Sequence, residues 1–428
     1  MSFPKYDRYK DSGVEWLGEV PQQWELLKLK RICLLKSGEN ITSEQIQEED
    51  NFPVFGGNGL RGYTDKYTHD GHYALIGRQG ALCGNVNYAA GRFWASEHAV
   101  VVLKTKDFVT RWLGELLRTM NLNQYSIASA QPGLSVEVIG NLFIPLPPLP
   151  EQRSIAAFLD RETTKIDELI AEQRQLIDLL KEKRQAVISH AVTKGLNPDA
   201  PMKDSAIEWL GEVPEHWSKP SKLVDFSDAS QHSFVNGPFG SDLLSSELTQ
   251  EGIPVIYIRD LKPQGYTRVS EVCVTREKAE QIKFCNVIPG DILVAKVGDP
   301  PGLAVVYPTT EGEGIVTQDV IRLRLNKESA TSSYVSYLLN SDFGRISIDT
   351  ISVESTRTRV GLGDYKQLKF CVPPFIEQQS IAAFLDRETA KFDELIAEAH
   401  HAIALLRERR TALISAAVTG KIDVRSLV

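Results

Sequence analysis

Apolar and polar positions follow a three-four spacing in two long stretches of the chain. In residues 151–192 apolar side chains recur every three or four positions without an internal Gly or Pro, and residues 377–414 repeat the pattern. This spacing is typical of an amphipathic helix with one apolar stripe. Each stretch is therefore predicted to be one helix of roughly 40 residues, about 60 Å long. Pro-Pro precedes each helix, and Gly195 and Gly420 are predicted to end them.

Both predicted helices carry an apolar seam that needs a partner along its length. The seam residues predicted to pair the helices and to dock partners are Ile155, Phe158, Leu159, Ile166 and Leu169 in the first helix, and Ile381, Phe384, Leu385, Phe392 and Leu395 in the second. Because one chain holds both seams at high effective concentration, we expect them to pair within the chain. Pairing between two chains, which would only dimerise the protein, is the alternative.

The long helical motif and a shorter motif each occur twice. EQRSIAAFLDRETTKIDELIAE at 151–172 returns 226 positions later as EQQSIAAFLDRETAKFDELIAE at 377–398, with 19 of 22 residues identical. The shorter motif, here called the lead-in, is DSGVEWLGEVPQQW at 11–24 and DSAIEWLGEVPEHW at 204–217, with 10 of 14 residues identical. Copies separated by long dissimilar blocks cannot stack as nearest-neighbour repeats. The chain is therefore predicted to be a duplicated frame that holds two different blocks.

The first block (25–150) and the second block (218–376) show the same landmarks in the same order. The matching segments are Phe52-Pro53-Val54 with Ile253-Pro254-Val255, HYALIGRQG (72–80) with GDILVAKVG (290–298), SEHAVVV (96–102) with TQDVIRL (317–323), and LFIPLPP (142–148) with LKFCVPP (368–374). Their offsets grow from 201 to 218 to 226, as loop insertions in one common fold would produce. Apolar runs between Gly-rich turns indicate strands. Each block is predicted to be a strand-rich α/β domain with a few helices, one of them at Val109–Met120.

The predicted fold class is α/β (α+β), duplicated with pseudo-twofold symmetry. Two strand-rich globular domains are joined by two long helices that pack as an intramolecular antiparallel coiled coil. The predicted segments are a lead-in and first domain (1–150), the first long helix (151–195), a linker and second lead-in (196–217), the second domain (218–376), and the second long helix with a C-terminal tail (377–428).

Composition limits the possible classes of protein. The chain is 42% apolar and 24% charged, which is ordinary for a globular protein, and no stretch approaches the roughly 18 apolar residues of a membrane span. The charged N-terminal residues argue against a secretory peptide, so a cytoplasmic location is expected. The five cysteines are odd in number and lack C-x-x-C spacing, which predicts buried thiols. A net charge of -8 means that local clusters or a partner would have to supply any DNA-binding field.

The sequence lacks the motifs of a DNA-modifying enzyme. A methyltransferase that flips a base needs an aromatic residue at the end of a Pro-Pro loop. The nearest match, residues 298–302, ends in Gly302 and is predicted to be a turn. No G-x-x-x-x-G-K-[ST] phosphate loop occurs, and the spacing of His69 and His72 is weak evidence for a metal site. We therefore expect no catalytic residues, no metal and no cofactor in this chain.

The order of these pieces resembles the specificity subunit of type I restriction-modification systems. The resemblance covers essentially the whole chain and is carried by the EWLGEVPxxW lead-ins, the PPxxEQxxIAxFLD entries to the long helices and the two divergent blocks. It implies that each block is a target-recognition domain for one half of a bipartite, asymmetric sequence in double-stranded DNA. It also implies that the paired helices set the gap between the half-sites and dock two modification subunits.

The resemblance further implies assembly with restriction subunits, which are motor nucleases. S-adenosylmethionine would then be bound by the modification subunit, and ATP and Mg by the restriction subunit. The complex would act as an adenine-specific DNA methyltransferase and restriction endonuclease, while this chain would be non-catalytic. The alternative is a non-enzymatic adaptor with two protein-binding heads on a coiled-coil spacer.

DNA reading requires Arg, Lys, Asn or Gln at base edges and other basic or polar groups on phosphates. The predicted DNA-binding residues are Asn58, Arg61, Tyr63, Arg78, Gln79, Lys296, Thr356, Arg357 and Arg359. The segment Arg78-Gln79-Gly80 aligns with Lys296-Val297-Gly298, whereas the segment that holds the later arginines aligns with 130–133, which has none. Ordinary exposed loop charges are the alternative for Arg357 and Arg359.

The lead-ins supply apolar residues beside each block. The residues predicted to plug each block against the helices are Trp16, Leu17, Val20 and Trp24, and Trp209, Leu210, Val213 and Trp217. Docking of a partner is the alternative role for these side chains.

Overall fold

The computed structural model describes residues 3–80, 82–126, 133–238, 240, 242–298, 300–352 and 359–427. The chain forms two compact units, each built from segments that are distant in the sequence. Unit 1 comprises Met1–Arg174 and His400–Val428, and unit 2 comprises Gln175–Ala399. Each unit thus takes part of both long helices. The linear segment boundaries proposed from the sequence stay predictions.

Unit 1 contains the first lead-in, the first block and one part of each long helix. Its strands are β1 (Tyr9–Asp11), β2 (Glu19–Pro21), β3 (Glu25–Lys28), β4 (Cys33–Ser37), β5 (Phe52–Gly56), β6 (Gly59–Thr64), β7 (His69–Gly77), β8 (Val86–Ala95), β9 (Ala99–Lys104) and β10 (Phe143–Leu146). Its helices are α1 (Thr110–Thr119), α2 (Val136–Gly140), the first part of α3 (Leu149–Lys194) and the last part of the second long helix, from His400 onward. Short 3-10 helices lie at Leu29–Arg31, Ser43–Gln45 and Leu122–Tyr125.

A six-stranded sheet forms the centre of the first block, in the order β4-β9-β7-β8-β5-β6. The neighbouring strands are antiparallel except β5 and β8, which run parallel with Val54 opposite Trp94. Apolar runs such as AVVV in β9 suit a sheet whose faces are covered. The helix predicted at Val109–Met120 is α1, and these two residues cap it. It packs against β7 and β8.

Unit 2 contains the second lead-in, the second block and the other part of each long helix. Its strands are β11 (Met202–Asp204), β12 (Glu212–Pro214), β13 (Ser221–Lys222), β14 (Phe234–Asn236), β15 (Leu248–Thr249), β16 (Ile253–Ile256), β17 (Leu261–Lys262), β18 (Gly265–Tyr266), β19 (Cys273–Val274), β20 (Asn286–Val287), β21 (Ile292–Ala295), β22 (Ala304–Val306), β23 (Gly314–Val316), β24 (Val320–Leu323) and β25 (Lys369–Phe370). Its helices are the last part of α3, from Gln175 onward, α4 (Arg276–Gln281), α5 (Ser332–Asn340), α6 (Asp342–Asp349), α7 (Leu362–Gln367) and the first part of α8 (Phe375–Val418). Short 3-10 helices lie at Leu223–Phe226, Ser245–Glu247, Ile258–Asp260 and Lys283–Cys285.

The second block repeats the strand plan of the first. Its four-stranded sheet has the order β14-β24-β21-β22, which matches β4-β9-β7-β8. Its five-stranded sheet, β15-β19-β16-β23-β20, contains the parallel pair β16 and β23, with Val255 opposite Ile315. This pair corresponds to the parallel pair β5 and β8 of unit 1. Val54 of β5 and Val255 of β16 are separated by 201 positions, the offset that the sequence predicted. The predicted common fold of the two blocks is confirmed.

The two long motifs form continuous helices. Helix α3 has 46 residues and α8 has 44, and each begins directly after its Pro-Pro pair. Gly195 and Gly420 both have φ 76°, a left-handed conformation that ends a helix and favours glycine. The predicted helices and their glycine ends are confirmed.

The helices run antiparallel within each unit. In unit 2, Arg184 of α3 pairs with Asp393 of α8 at 3.2 Å, while Gly195, beyond the end of α3, lies beside Glu377 near the start of α8. In unit 1, Asp167 of α3 pairs with Arg410 of α8 at 3.0 Å, and Trp24, which is bonded to Glu151 near the start of α3, lies beside Gly420, beyond the end of α8. The predicted antiparallel pairing within one chain is therefore observed in both units.

Candidate nucleic-acid interface

A carboxylate at the start of each long helix holds the lead-in of the same unit. In unit 1, Glu151 accepts hydrogen bonds from Trp24 Nε1 at 3.0 Å and from the Tyr6 hydroxyl at 2.5 Å. Burial and the Glu151 carboxylate raise the pKa of Tyr6, which keeps its hydroxyl a donor. In unit 2, Glu377 accepts a hydrogen bond from Trp217 Nε1 at 3.1 Å and contacts His216 at 2.7 Å. The repeated Glu therefore fastens a tryptophan to the helix in both units.

The glutamine after each of these carboxylates holds the block. Gln152 accepts a hydrogen bond from the Val109 N–H at 2.9 Å, just before α1, and donates to the Pro147 carbonyl at 2.9 Å. Gln378 accepts from the Thr331 N–H at 3.1 Å, just before α5, and donates to a carbonyl of the preceding Pro-Pro pair at 3.1 Å. Both amides are buried. This role was missed from the sequence, although the identity of Glu-Gln in both motifs was a signal of a shared structural role.

Most predicted lead-in plugs are buried, but the first tryptophan of each motif is not. The buried residues are Leu17, Val20, Trp24, Leu210, Val213 and Trp217. Trp16 is half-buried, so its packing role stays a prediction, whereas Trp209 is 54% exposed, so the prediction that its ring plugs the second block is wrong. Each tryptophan lies within a turn, at 15–17 and 208–210, and the leucine that follows it is the residue buried in the core.

The predicted helix residues divide into buried and exposed sets. Ile155, Phe158, Leu159, Ile166, Ile381 and Leu385 are buried, and Phe384 and Phe392 are half-buried. Leu169 is 44% exposed and Leu395 is 47% exposed, so these two residues lie outside the seam to which the sequence assigned them. In α3 the buried stripe passes through Ile166 and Ile170, which leaves Leu169 at its side. Leu169 and Leu395 occupy equivalent positions of the repeat and present equivalent apolar surfaces.

Three chain segments meet at one edge of the first block. The Arg78 N–H donates to the His98 carbonyl at 2.8 Å, and the Arg78 carbonyl accepts from the Leu134 N–H at 2.9 Å. Gln79 forms a backbone bridge with Gly133. We call this arrangement the edge frame. It places the segment after β7, the segment before β9 and the segment before α2 side by side.

The second block contains the same edge frame with different side chains. The Lys296 N–H donates to the Asp319 carbonyl at 2.9 Å, and the Lys296 carbonyl accepts from the Val360 N–H at 3.2 Å. Val297 forms a backbone bridge with Arg359. The three central positions are Arg78, His98 and Gly133 in unit 1, and Lys296, Asp319 and Arg359 in unit 2.

The unit 2 edge frame brings two cations and one carboxylate together. Burial and the neighbouring Arg359 lower the pKa of Lys296, while Asp319 acts in the opposite direction. Lys296 and Arg359 carry like charges that repel each other, and the Asp319 carboxylate offsets part of that repulsion. In unit 1, Arg78 Nη1 donates to Ser37 Oγ at 3.2 Å, which holds the guanidinium at the frame.

The structure brings several predicted DNA-binding residues together and separates others. Asn58 lies in the turn between β5 and β6, and the neighbouring Gly57 lies against the backbone of Gln79 and His98, so this turn adjoins the unit 1 edge frame. Asn58 also accepts a hydrogen bond from Asn85 Nδ2 at 3.2 Å. Arg61 folds its side chain over Gly56.

Tyr63 lies opposite Pro53 in β6, four residues beyond Gly59 at the turn, or about 14 Å at ~3.4 Å per residue. The backbone of Tyr63 therefore lies away from the unit 1 edge frame, which adjoins the turn. In unit 2, Lys296 and Arg359 come together, whereas Thr356 and Arg357 lie outside the described residues. The positions of His98 and Asp319 in the frame were not recognised from the sequence. The alignment of SEHAVVV with TQDVIRL, which sets His98 opposite Asp319, was the available signal.

The motif that resembled a methyltransferase loop lies between β21 and β22. Gly302 has φ 93°, and its N–H donates to the Ala295 carbonyl at 2.8 Å. Gly84 has φ 88° and makes the same bond with Gly77 at 2.8 Å in the other block. The predicted turn at Gly302 is therefore a structural element that both blocks share.

The described part of the chain holds no cluster of three or more His, Cys, Asp or Glu side chains with the arrangement of a metal site. His69 bonds Thr68 Oγ1 at 2.7 Å and stacks on Phe93, and burial lowers its pKa.

Within the same described residues, no helix has the length and hydropathy needed to cross a membrane.

Comparison with known proteins shows similarity to type I restriction enzyme specificity subunits. A family model described as the type I restriction modification DNA specificity domain matches residues 21–179. The type I restriction enzyme EcoprrI specificity subunit of Escherichia coli is 40% identical over 168 residues, which cover 38% of this chain and 42% of that protein. The chain thus spans less than half of that relative in this match. The type I restriction enzyme EcoBI specificity subunit of Escherichia coli is 24% identical over 97% of this chain and 90% of that protein.

The fold has a solved counterpart over nearly its whole length. A chain from a structural study of complex assembly and conformational transition of the type I R-M system superimposes with a TM-score of 0.70. The superposition covers 93% of this chain and 98% of that chain at 18% identity, so it bears on the fold alone. Residues 21–179 thus match the type I restriction modification DNA specificity domain, and the chain as a whole is similar to type I restriction enzyme specificity subunits.

Proposed function

We propose that this chain is the non-catalytic DNA-specificity subunit of a type I restriction-modification complex. Each block reads one half of a bipartite, asymmetric sequence in double-stranded DNA. The observation that supports this most directly is the edge frame, whose backbone hydrogen bonds are alike in the two units while its side chains differ. A common frame with unlike side chains suits two readers of unlike sequences.

The long helices set the gap between the half-sites and dock two modification subunits. Two like partners need two like surfaces, and the exposed Leu169 and Leu395 offer apolar side chains at equivalent positions of a repeat that is 19 of 22 residues identical. A single exposed leucine is ordinary on a protein surface, but its recurrence at the same position of both copies is what two like partners would require. The alternative adaptor function is not favoured, because the matched relatives are specificity subunits.

The chemistry of the complex belongs to its other subunits. S-adenosylmethionine is bound by the modification subunit, and ATP and Mg by the restriction subunit. This chain contributes no catalytic group and binds no cofactor. Its role is to position the modification subunits on one DNA sequence, so that adenine methylation takes place there.

The test is methylation mapping with the purified components. This chain, a modification subunit and S-adenosylmethionine should together methylate adenines within one bipartite, asymmetric sequence. The modification subunit alone should show no such sequence preference, and this chain alone should transfer no methyl groups. Methyl transfer by the highly purified chain, or methylation by the complex without any sequence preference, would refute the proposal.

A further inference from the structure

We propose that Asp319 and His98 are specificity-determining residues, and that Lys296 and Asp319 together recognise a G·C base pair in the half-site read by unit 2. The inference rests on the proposed function and assigns base-reading positions within it.

The same backbone hydrogen bonds form around His98 in unit 1 and Asp319 in unit 2. His98 and Asp319 accept backbone hydrogen bonds from Arg78 and Lys296, at 2.8 and 2.9 Å. One residue later, the Ala99 N–H donates to the Ser96 carbonyl at 2.9 Å, and the Val320 N–H donates to the Thr317 carbonyl at 3.0 Å. The backbone at both positions is therefore fixed on two sides.

The fixed backbone is anchored further in the central sheet. The Ser96 N–H donates to the Phe55 carbonyl at 2.9 Å in unit 1, and the Thr317 N–H donates to the Ile256 carbonyl at 3.0 Å in unit 2. The His98 side chain is nevertheless 43% exposed, and Asp319 is exposed. A rigid backbone that carries an accessible polar side chain is what a recognition residue needs, because little ordering is required on binding.

The side chains at the unit 2 frame match the major-groove edge of a G·C pair. Guanine presents the acceptors O6 and N7, and cytosine presents the N4 amino donor. The Lys296 ammonium can donate to guanine, while the Asp319 carboxylate can accept from cytosine N4. These two residues are joined by their backbone hydrogen bond, so donor and acceptor are presented from adjacent segments. Burial beside Arg359 also lowers the pKa of Lys296, which is consistent with an ammonium that lacks full solvation before it binds.

Unit 1 presents a different set of groups at the same positions. Arg78 takes the place of Lys296, and His98, whose Nε2 lies 3.0 Å from Glu97 Oε1, takes the place of Asp319. The Asp319 carboxylate of unit 2 can only accept hydrogen bonds, whereas the His98 imidazole of unit 1 can donate as well as accept them. The two frames should therefore not prefer the same base pair.

The test is methylation mapping and DNA binding with the full chain in complex with a modification subunit. The wild-type complex should require a G·C pair at one position of one half-site. Asp319→Ala should lower discrimination at that position by about fivefold to about a hundredfold. The other half-site should be read as before. His98→Ala should relax one position in the opposite half-site and leave the position affected by Asp319→Ala unchanged.

Two further variants separate recognition from general effects. Glu271→Ala removes an exposed carboxylate elsewhere in unit 2 and should leave the target unchanged. Asp319→Asn retains the shape of the side chain, and its thermal unfolding shows whether the frame stays folded. If the wild-type complex has a bipartite target and Asp319→Ala behaves like Glu271→Ala, the inference is overturned while the proposed function stands. Equal weakening of binding to all sequences by Asp319→Ala would also overturn it. A wild-type complex with no specific target would overturn both.

Discussion

Arg410 Nε lies 3.0 Å from Asp167 Oδ1, which joins α8 to α3 within unit 1. In unit 2 the equivalent residues, with the helices exchanged, are Arg184 and Asp393 at 3.2 Å. Asp167 and Asp393 are separated by the repeat offset of 226, as are Arg184 and Arg410. Each long helix thus contributes one aspartate and one arginine to the two ion pairs that join α3 and α8.

The Asp167–Arg410 pair should contribute only a little to stability. The Arg410 side chain is 29% exposed and the Asp167 side chain 53% exposed, so solvent screens their attraction. A double-mutant cycle with Asp167→Ala, Arg410→Ala and the double variant should give a coupling energy of ~0.2–1 kcal/mol. Urea unfolding of the full chain measures it. A coupling energy above this range would mean that the pair is more strongly shielded from solvent than its exposure indicates.

Removal of Glu151 should destabilise the protein more than removal of Glu377. Glu151→Ala would leave the buried Trp24 Nε1 and the Tyr6 hydroxyl without their acceptor, at a cost of ~2–3 kcal/mol. Glu377→Ala is the matched variant, and its cost should be smaller because the Glu377 side chain is 28% exposed and water can replace it. Thermal or urea unfolding of both variants provides the comparison. Equal losses would contradict the role assigned to burial.

The cysteines should be unreactive in the folded protein. All five are buried, and burial raises the pKa of Cys33 and of Cys285 to about 12. The thiolate is the reactive form, so a thiol reagent at pH 8 should modify these residues only after unfolding. Counting the thiols modified with and without denaturant checks this. Rapid modification of the native protein would contradict it.

The same two thiols should make stability depend on pH. A free thiol has a pKa of about 8.5, so above that pH the unfolded chain loses these protons before the folded chain does. The stabilising contribution is therefore fully present below about pH 8.5 and is lost as the pH rises towards 12. Cys33→Ala should reduce this slope in unfolding measurements at pH 8 to 10. A slope equal to that of the wild type would show that Cys33 does not contribute.

Exposed leucines should matter for assembly and little for folding. Leu169→Glu and Leu395→Glu each place a charge on an exposed helix surface, so the free energy of unfolding should change by less than ~0.5 kcal/mol. If these leucines contact the modification subunits, each variant should weaken one docking site by ~1–2 kcal/mol, or about fivefold to thirtyfold. Titration of the modification subunit measures both sites. Ser380→Glu is the control for a charge added to α8, the helix of Leu395, and a similar loss of affinity in that variant would remove Leu395 from the interface.

The duplication made the overall plan predictable, and it also indicates why some residues were misassigned. Matching offsets identified equivalent strands, and the antiparallel helix pair followed from two like seams in one chain. The three-four spacing cannot show which of two adjacent apolar residues faces inward. Leu169 lies beside the buried Ile170, and Trp209 lies beside the buried Leu210, so both were assigned to the interior.

The candidate site was less predictable because it is formed by contacts between distant segments. Arg78 and Lys296 were recognised as basic residues at equivalent loop positions. His98 and Asp319 reach the same place only through backbone hydrogen bonds across the sheet edge, which no local pattern in the sequence records. The hydrogen bonds that Gln152 and Gln378 accept likewise join distant residues. Their donors are the Val109 and Thr331 N–H groups, 43 and 47 positions away.

A fragment that ends at Asp199 should form a dimer through α3. It contains one lead-in, one block and a complete long helix, but it lacks α8, which contributes residues 400–418 to unit 1. In an antiparallel dimer, Asp167 of one copy would face Arg184 of the other, because Arg184 is the repeat equivalent of Arg410. Both ion pairs and the apolar seam would thus be restored by a twofold axis. With modification subunits present, the dimer should methylate an interrupted palindrome built from the half-site of the first block.

Charge reversal shows whether the dimer uses this pairing. Asp167→Arg places a base opposite Arg184 in both pairs and should weaken dimerisation by about tenfold, or ~1–2 kcal/mol. Adding Arg184→Asp should restore dimerisation, because each pair is then rebuilt with its charges exchanged. Asp178→Arg is the matched control, since Asp178 is a 73% exposed side chain whose ion-pair partner, Lys181, lies on the same helix. Sedimentation analysis measures assembly, and methylation mapping measures the change of target. A folded fragment that stays monomeric at micromolar concentration, with or without its modification partner, would show that the two long helices cannot replace each other.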